Sequence, residues 1–491
     1  MTITSQDMIA LLPLLFVGLA VVIVMLTIAI KRNHTLTAAI TAAAVLVAML
    51  TLIPAARVGA LQVTPLVHMD GYAVFYMLLT LIATLATTSF AYSWLNAYPD
   101  NKEEFYLLLL IATLGSMLLA SANHMASLFI GIELLSLPMF GLIGYAYRKR
   151  HPLEASFKYM LLSAAASSFL LLGIAFVYAA TGELSFKAFS ASLNPQLLSQ
   201  PLLLTGIGLM LVGIGFKLSL VPFQLWTPDV YQGAPAPVAG FLATAGKIGV
   251  FCVVGRILLS MPGEDSYALG FTLGLLGFLS IIVGNVLAVS QRNLKRLLGY
   301  SSVAHLGYML VILTAIGSMQ LNNGLESNSI ASEAIGVYLV GYLLSSIVAF
   351  GVVSVMNSPY QTEEDNDDIE RYKGLYWRSP ALGISLAIAM LSLAGIPLTL
   401  GFIGKFYALI AGVSAQLWWL VAAVILGSAI GLYYYLKVAV MIFYREESAK
   451  PAKAHAISAE FIIVASAIVV FILGVYPQPL IAIAKVAALL G

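Results

Sequence analysis

Apolar positions run unbroken for 18 or more residues many times along the chain. Their approximate extents are 9–30, 35–53, 71–92, 105–121, 125–147, 155–180, 202–221, 238–260, 267–290, 297–317, 334–356, 380–412, 416–444 and 457–476. A bilayer-crossing helix needs about 20 such residues, so the pattern predicts fourteen spans joined by short polar loops. The first run has no basic segment before it. Its first positive charges, Lys31 and Arg32, follow it, which excludes a signal peptide.

Loops after odd-numbered spans hold Lys31, Arg32, Lys102, Arg148, Lys149, Arg150, Arg292, Lys295, Arg296, Arg371, Lys373, Arg378, Arg445, Lys450 and Lys453. The other side holds mainly Arg57, Lys187 and Lys485. By the positive-inside rule the odd loops are cytoplasmic, and an even number of spans puts both termini on the opposite, periplasmic side.

Composition agrees. Of 491 residues, 61% are hydrophobic and 9% charged, against about 25% charged in soluble proteins. A secreted domain, a cytosolic enzyme and a nucleic-acid binder are excluded. The net charge of +2 argues for no polyanionic partner. The single cysteine, Cys252, lies in an apolar run and cannot form a disulfide or an iron–sulfur site alone. The six histidines, His34, His68, His124, His151, His305 and His455, share no helical spacing that would make a metal site. The acidic loop Ser358–Pro380 lacks the glycine of a calcium-binding loop and reads as a solvated cytoplasmic connection.

Two spans carry interruptions. One reads GIGFKLSLVPFQLWTPDVYQGAPAPV (213–238), the other LSLAGIPLTLGFIGKFYALI (391–410). Pro222 and Pro397 each remove a backbone hydrogen bond, which a bilayer tolerates only under protein or a water-filled cavity. The breaks fall in spans 7 and 12, five crossings apart, so the two helices run in opposite directions. Two unrelated kinks would look the same at this level, but a lysine near each break favours an inverted repeat of a transport fold. The expected all-α integral membrane architecture has helices 1–3 in residues 1–103, helices 4–8 in 104–262, helices 9–13 in 263–446 and helix 14 in 447–491.

Charged residues inside the spans carry the candidate chemistry. Those singled out are Glu133, Lys217, Lys247, Lys405 and Lys437. Each costs about 2.5–3.5 kcal/mol at the bilayer centre, a burden that points to pairing, hydration or use. Lys437 and Lys158 lie close enough to cytoplasmic loops to snorkel. Lysine suits a proton relay because burial lowers its pKa and a carboxylate raises it. Glu133, read as the only buried acid, is the expected partner of Lys217. Asp229 reads as a helix cap or loop residue near a cytoplasmic entrance. His305 is a packing residue or a bridge between the halves. Lys405 follows Pro397 by eight residues and Lys217 precedes Pro222 by five. Inversion of the second helix then puts both lysines on the same side of their breaks, with Lys247 between them. No phosphate-binding loop, dinucleotide fingerprint or redox ligand set is present in the sequence. A gradient or a partner must drive transport.

Four stretches, GIELLSLPMFGLIGYAYR, GIGFKLSLVPFQLWTPDVYQGAPAPV, QRNLKRLLGYSSVAHLGYML and LSLAGIPLTLGFIGKFYALI, resemble the antiporter-like subunits of respiratory complex I, NADH:quinone oxidoreductase. The resemblance runs nearly end to end. It implies fourteen helices, inverted five-helix repeats, broken helices 7 and 12, and a proton channel in a bacterial inner membrane. Glu133 and Lys217 would form the first-half pair, Lys247 the central relay and Lys405 the outlet. Lys158 and Lys295 also fall on positions charged in the family, and Lys437 on a site that relatives fill with arginine. The chain would be a subunit of a translocase that takes electrons from NADH to a quinone such as ubiquinone. It would carry no redox centre itself, with FMN and iron–sulfur clusters on partner subunits. A cation/proton antiporter of the related multi-subunit type is the other reading. One departure stands out: the family's PFHLW reads PFQLW here, placing Gln224, which cannot take up a proton, where a histidine is usual. After span 14 the sequence leaves no room for the long lateral helix of the largest such subunit.

Overall fold

The structure is a computed structural model. It describes residues 4–260, 267–323, 326–357, 367–445 and 457–489. The described residues are almost entirely helical. In chain order the helices are α1 (Ser5–Ile30), α2 (His34–Val58), α3 (Gly71–Asn96), α4 (Glu103–Ala120), α5 (Met125–Ile143), α6 (Arg150–Thr181), α7 (Phe186–Ser192), α8 (Pro195–Leu198), α9 (Pro201–Leu218), α10 (Thr227–Gly233), α11 (Ala236–Ala243), α12 (Ala245–Ser260), α13 (Tyr267–Val289), α14 (Leu294–Asn323), α15 (Glu326–Met356), α16 (Leu375–Arg378), α17 (Pro380–Ala394), α18 (Leu400–Ser414), α19 (Trp418–Ile442), α20 (Ile457–Val475) and α21 (Gln478–Leu489). A two-residue hairpin, β1 (Leu61–Gln62) with β2 (His68–Met69), precedes α3.

Among the described residues thirteen segments are long and apolar enough to cross a membrane. The one expected span missing from these is the twelfth, formed by the pair α17 and α18, two 15-residue pieces that are each too short alone. The seventh, Pro201–Gly233, is α9 followed by α10.

The basic loops meet at one end. Arg32 pairs with Glu104 at 2.6 Å and Arg148 with Asp100 at 2.5 Å. The Ile369 amide donates to the Arg292 carbonyl at 2.8 Å. The remaining loops meet at the other end, where the His68 amide reaches the Ser121 carbonyl and the Met125 amide the Leu184 carbonyl. We call these the basic end and the opposite end.

The breaks begin before the prolines that signalled them. Helix α9 ends at Ser219 in the left-handed region, φ 59°, and α17 ends at Gly395, φ 83°. In both, the next amide folds back to a carbonyl of the last turn: Leu220 to Gly215 at 2.8 Å and Ile396 to Leu391 at 3.0 Å. This is the left-handed C-cap that ends many helices. Pro222 and Pro397 follow it and prevent the helix from resuming at once. A third break was not legible in the sequence. Thr244, φ −105° and ψ −90°, divides span 8 into α11 and α12.

Small residues let the backbones close up. A Cβ on Gly173 would stand 2.6 Å from the Gly206 carbonyl oxygen, so α6 and α9 touch backbone to backbone. At the second break Gly401 lies against the Ser392 carbonyl, and its amide donates to Ser392 Oγ at 3.1 Å. The two half-helices overlap through this contact.

Glu133 is not the only buried acid, as the sequence reading had it: Asp70, Glu103 and Asp367 are buried and Glu133 is half-buried. Asp70 caps α3 by accepting from the Ala73 amide at 2.7 Å. It also pairs with Arg256 of α12 through two hydrogen bonds of 2.6 and 3.0 Å. Arg256 reaches the Ala120 carbonyl as well, at 3.1 Å, and stacks over the Tyr72 ring. His68, which lies outside the spans, stands 3.5 Å from Asp70, and burial pushes its pKa down. This pair fixes the opposite end of the helix that carries Lys247.

Two outcomes follow from this packing. Gly401→Ala puts a methyl group into the Ser392 backbone and should destabilise the chain by about 1–3 kcal/mol, read as a lower thermal midpoint in detergent and less assembled chain. Asp70→Asn keeps the cap but strands Arg256. It should cost about 3–5 kcal/mol, while Asp70→Asn with Arg256→Leu should cost less than the sum of the two single changes. Additive losses would show that the two side chains do not act as a pair.

Candidate functional site

The breaks place bare C-terminal carbonyls at mid-membrane, and lysines occupy them. Lys247, on the first turn of α12, donates to the Lys217 carbonyl at 3.0 Å and to Ser219 Oγ. Its ammonium lies 4.9 Å from the centre of the Trp226 ring. The Trp226 indole N–H takes the adjacent Phe216 carbonyl at 3.0 Å. Lys405, on α18, reaches back across the second break to the Ala394 carbonyl at 2.9 Å, with its ammonium 5.2 Å from the Tyr308 ring centre. Both ammoniums thus face the negative end of a helix dipole and the face of an aromatic ring. Lys217 and Lys405 both belong to the half-helix on the opposite-end side of their breaks, in agreement with the inversion argument. All three lysines are buried.

The expected contact between Glu133 and Lys217 does not form. Lys217 donates to Ser136 and Ser163, both at 2.6 Å, and Glu133 accepts from Ser167. The reason is helical spacing. Ser136 follows Glu133 by three residues on α5, and Ser163 and Ser167 are four apart on α6, so three hydroxyls line one seam. Carboxylate and ammonium are each bonded to hydroxyls of this seam rather than to each other. Among the described residues no carboxylate is in ion-pair contact with Lys217, Lys247 or Lys405.

His305 of α14 lies between two phenols, Nδ1 2.8 Å from the Tyr338 hydroxyl and Nε2 3.2 Å from that of Tyr435. Tyr435 also bonds Ser301, and Tyr308 is linked through Asn285 to Tyr434 at 3.0 Å on each side. A cavity of about 10 Å³, lined in part by His305, Tyr338, Ser345 and Ser392, adjoins the second break. That is about the volume one water molecule needs. The sequence marked His305 but none of these tyrosines. Tyrosine is common in apolar spans, and only tertiary contact picks out the ones around the imidazole.

Gln224 Oε1 and Thr227 Oγ1 are buried without a hydrogen-bond partner, and the Tyr231 hydroxyl faces Ser302 Oγ. Buried groups of this kind are normally satisfied by protein or water. Gln224, at the position where the resemblance led us to expect histidine, is buried with its acceptor open.

The remaining predicted positions lie at the basic end. Lys158 pairs with Glu154 and with Asp229, both at 2.9 Å, and Arg296 pairs with Asp229 at 2.8 Å. Asp229 is thus no simple helix cap: it joins α6 to α14. Lys295 is buried and pairs with Asp367 at 2.8 Å while donating to the Ala234 carbonyl at 2.9 Å. Asp367 had been read as part of a solvated loop. It instead turns inward, because a buried lysine beside it needs a counter-charge. Residues 358–366 of that loop lie outside the described residues. Lys437 is exposed on the outer face of α19, near Glu370 and Lys373. It joins none of the other lysines.

Comparison with known proteins gives this geometry a family. The model of the family described as NADH:quinone oxidoreductase/Mrp antiporter, TM matches residues 122–431. A chain of respiratory complex I from Thermus thermophilus, solved with bound aureothin, is 34% identical, with 96% of this chain and 98% of that one covered and a TM-score of 0.80. A chain of the membrane-bound sulfane sulfur reductase, an archaeal respiratory membrane complex, has the same fold at 21% identity, with 99% and 98% covered and a TM-score of 0.82. So does a chain of the Mrp complex from Dietzia sp. DQ12-45-1b, at 19% identity, 98% and 97% covered and a TM-score of 0.81. The chain belongs to the NADH:quinone oxidoreductase/Mrp antiporter transmembrane family, the antiporter-like membrane subunits of respiratory and related complexes.

Proposed function

We propose that the chain is a proton-translocating membrane-arm subunit of NADH:quinone oxidoreductase, of the subunit N type. Electron transfer takes place on partner subunits that carry FMN and iron–sulfur clusters, and this chain moves protons in response. The observation that carries the reading is the placement of Lys247 and Lys405. Each is a buried, titratable cation held, among the described residues, by neutral acceptors and a ring. No carboxylate contact among the described residues fixes the proton on either amine, so each lysine can serve as a station that passes a proton on.

The side chains set an order of stations. Glu133, through Ser167, Ser163 and Ser136, acts on Lys217. Lys217 and Lys247 share the break, since Lys247 holds the Lys217 carbonyl. Gln224 and Thr227 offer an open acceptor and an open hydroxyl for water, and the hydroxyls of Tyr231 and Ser302 continue the series toward His305 and its tyrosines. Lys405 ends the series, and the half-helix that carries it leads to the opposite end. Gln224 serves this path by ordering water, because an amide cannot be protonated near neutral pH. The repeats at 104–262 and 263–446 each supply to the path one helix that stops at a left-handed cap. The membrane would be the bacterial inner membrane, with the basic end cytoplasmic and the termini periplasmic.

An antiporter of the Mrp type is the second reading, favoured by the likeness of fold. The 34% identity to the complex I chain supports the first. Purification of the native complex decides between them: flavin and iron–sulfur absorbance in the particle is expected, and a redox-silent particle would point to the antiporter.

Lys405→Arg should assemble yet pump protons poorly. Arginine keeps its charge but stays protonated above pH 12, and proton uptake in vesicles measures the loss. Near-normal pumping would leave Lys405 an electrostatic role only. Ser163→Ala with Ser167→Ala, which opens the seam between Glu133 and Lys217, should lower coupled turnover several-fold. Oxidation of NADH with an artificial acceptor should be retained in both variants, since no electron passes through this chain.

A further inference from the structure

We propose that the cleft between α9 and α13 is a binding site for one acyl chain of a phospholipid drawn from the leaflet beside α7. The cleft measures about 70 Å³ and every residue that lines it is apolar. Ile207, Met210 and Leu211 form one wall and Leu273 and Leu276 the other, with α12 and α14 behind them. Water gains no hydrogen bond there, and an apolar void excludes it. An unfilled void forfeits the dispersion contacts of its lining, so a hydrocarbon occupant is favoured.

The rim identifies the source. The lining residues Ile207 and Leu211 on α9 and Leu269 and Leu276 on α13 are only half-buried and sit on spanning helices, so the cleft opens to the bilayer itself. Phe189 of α7 closes its outer end and Leu218 and Leu220 its inner end. Ile207 to Leu218 is eleven positions, roughly 16 Å of helix, against a hydrocarbon core of about 30 Å. One acyl chain from one leaflet matches that length. The cleft has about half the volume of a 150 Å³ cavity that admits benzene, so it takes the flank of a chain and not a ring.

The position matters for the breaks. Leu218 and Leu220 flank Ser219, whose hydroxyl holds Lys247. A chain in the cleft therefore supports the outer side of the first break. The inference is independent of the proton-transfer reading, because it is tested by binding alone.

The native complex would be placed in nanodiscs with a phospholipid bearing a diazirine at the acyl terminus, irradiated and mapped by peptide mass spectrometry. Adducts at Met210, Leu211, Leu273 and Leu276 are expected at least fivefold above those at Ile425 and Leu426, which are exposed on α19. Ile207→Trp fills the mouth and should reduce the cleft adducts at least fivefold while leaving those on α19 unchanged. Leu276→Phe serves the same purpose if the first variant does not accumulate. Equal labelling of cleft and α19, or cleft labelling that survives the filling variant, would overturn the proposal. So would displacement of the label by an isoprenoid quinone, which would make a quinone tail the occupant, or a crosslink from the cleft to a neighbouring subunit.

Discussion

A helix that stops inside a bilayer leaves its last carbonyls without partners, and no water of the bulk phase is there to take them. This chain stops two helices that way, at Ser219 and at Gly395. Each cap satisfies part of the last turn from its own backbone. What remains, the Lys217 and Ala394 carbonyls, is met by the ammoniums of Lys247 and Lys405. The same contact answers two costs at once. It pairs a stranded carbonyl and it gives a buried cation an acceptor. Neither element would be stable in the membrane without the other, and the rest of the interior is arranged around these two meetings.

Neutral acceptors leave the lysines free to titrate. A carboxylate within about 4 Å would contribute several kcal/mol toward the charged form and would fix the proton in place. The structure instead puts serines between Glu133 and Lys217, so the acid acts from a distance. The second half replaces carboxylate by phenol and imidazole: Tyr338, Tyr435 and His305 form one bonded group, and Tyr308 lies under Lys405. Strong ion pairs are kept for other places. Asp70 with Arg256 fixes the opposite end of the Lys247 helix. Asp229, between Lys158 and Arg296, and Asp367, on Lys295, tie α6, α10 and α14 to one another and to the segment after α15 at the basic end.

That division explains how the fold can be stiff and its centre responsive. Charges at the two ends hold the helices by contacts that are expensive to break. Charges at the middle are held by groups that any small movement of a half-helix would shift. Gly401 against Ser392 and Gly173 against Gly206 keep such movements small, since backbones in contact have no side chain to yield.

The spans, their number and the two broken helices were legible in the sequence, because hydrophobic length and proline positions are properties of the chain alone. So were Lys217, Lys247, Lys405, Glu133 and His305, since a polar residue within an apolar run is visible wherever it points. The tertiary structure decided their partners. The seam of Ser136, Ser163 and Ser167 depends on how α5 lies on α6, and serine in a span carries no signal of its own. Asp70, Arg256 and Asp367 stand at span ends or in a loop, where a charge looks solvated until a neighbouring helix covers it. The break at Thr244 has no proline to announce it. The lysine sites themselves are made from carbonyls, which every residue has. Only the path of the backbone could decide which of them would be left bare in the middle of the membrane.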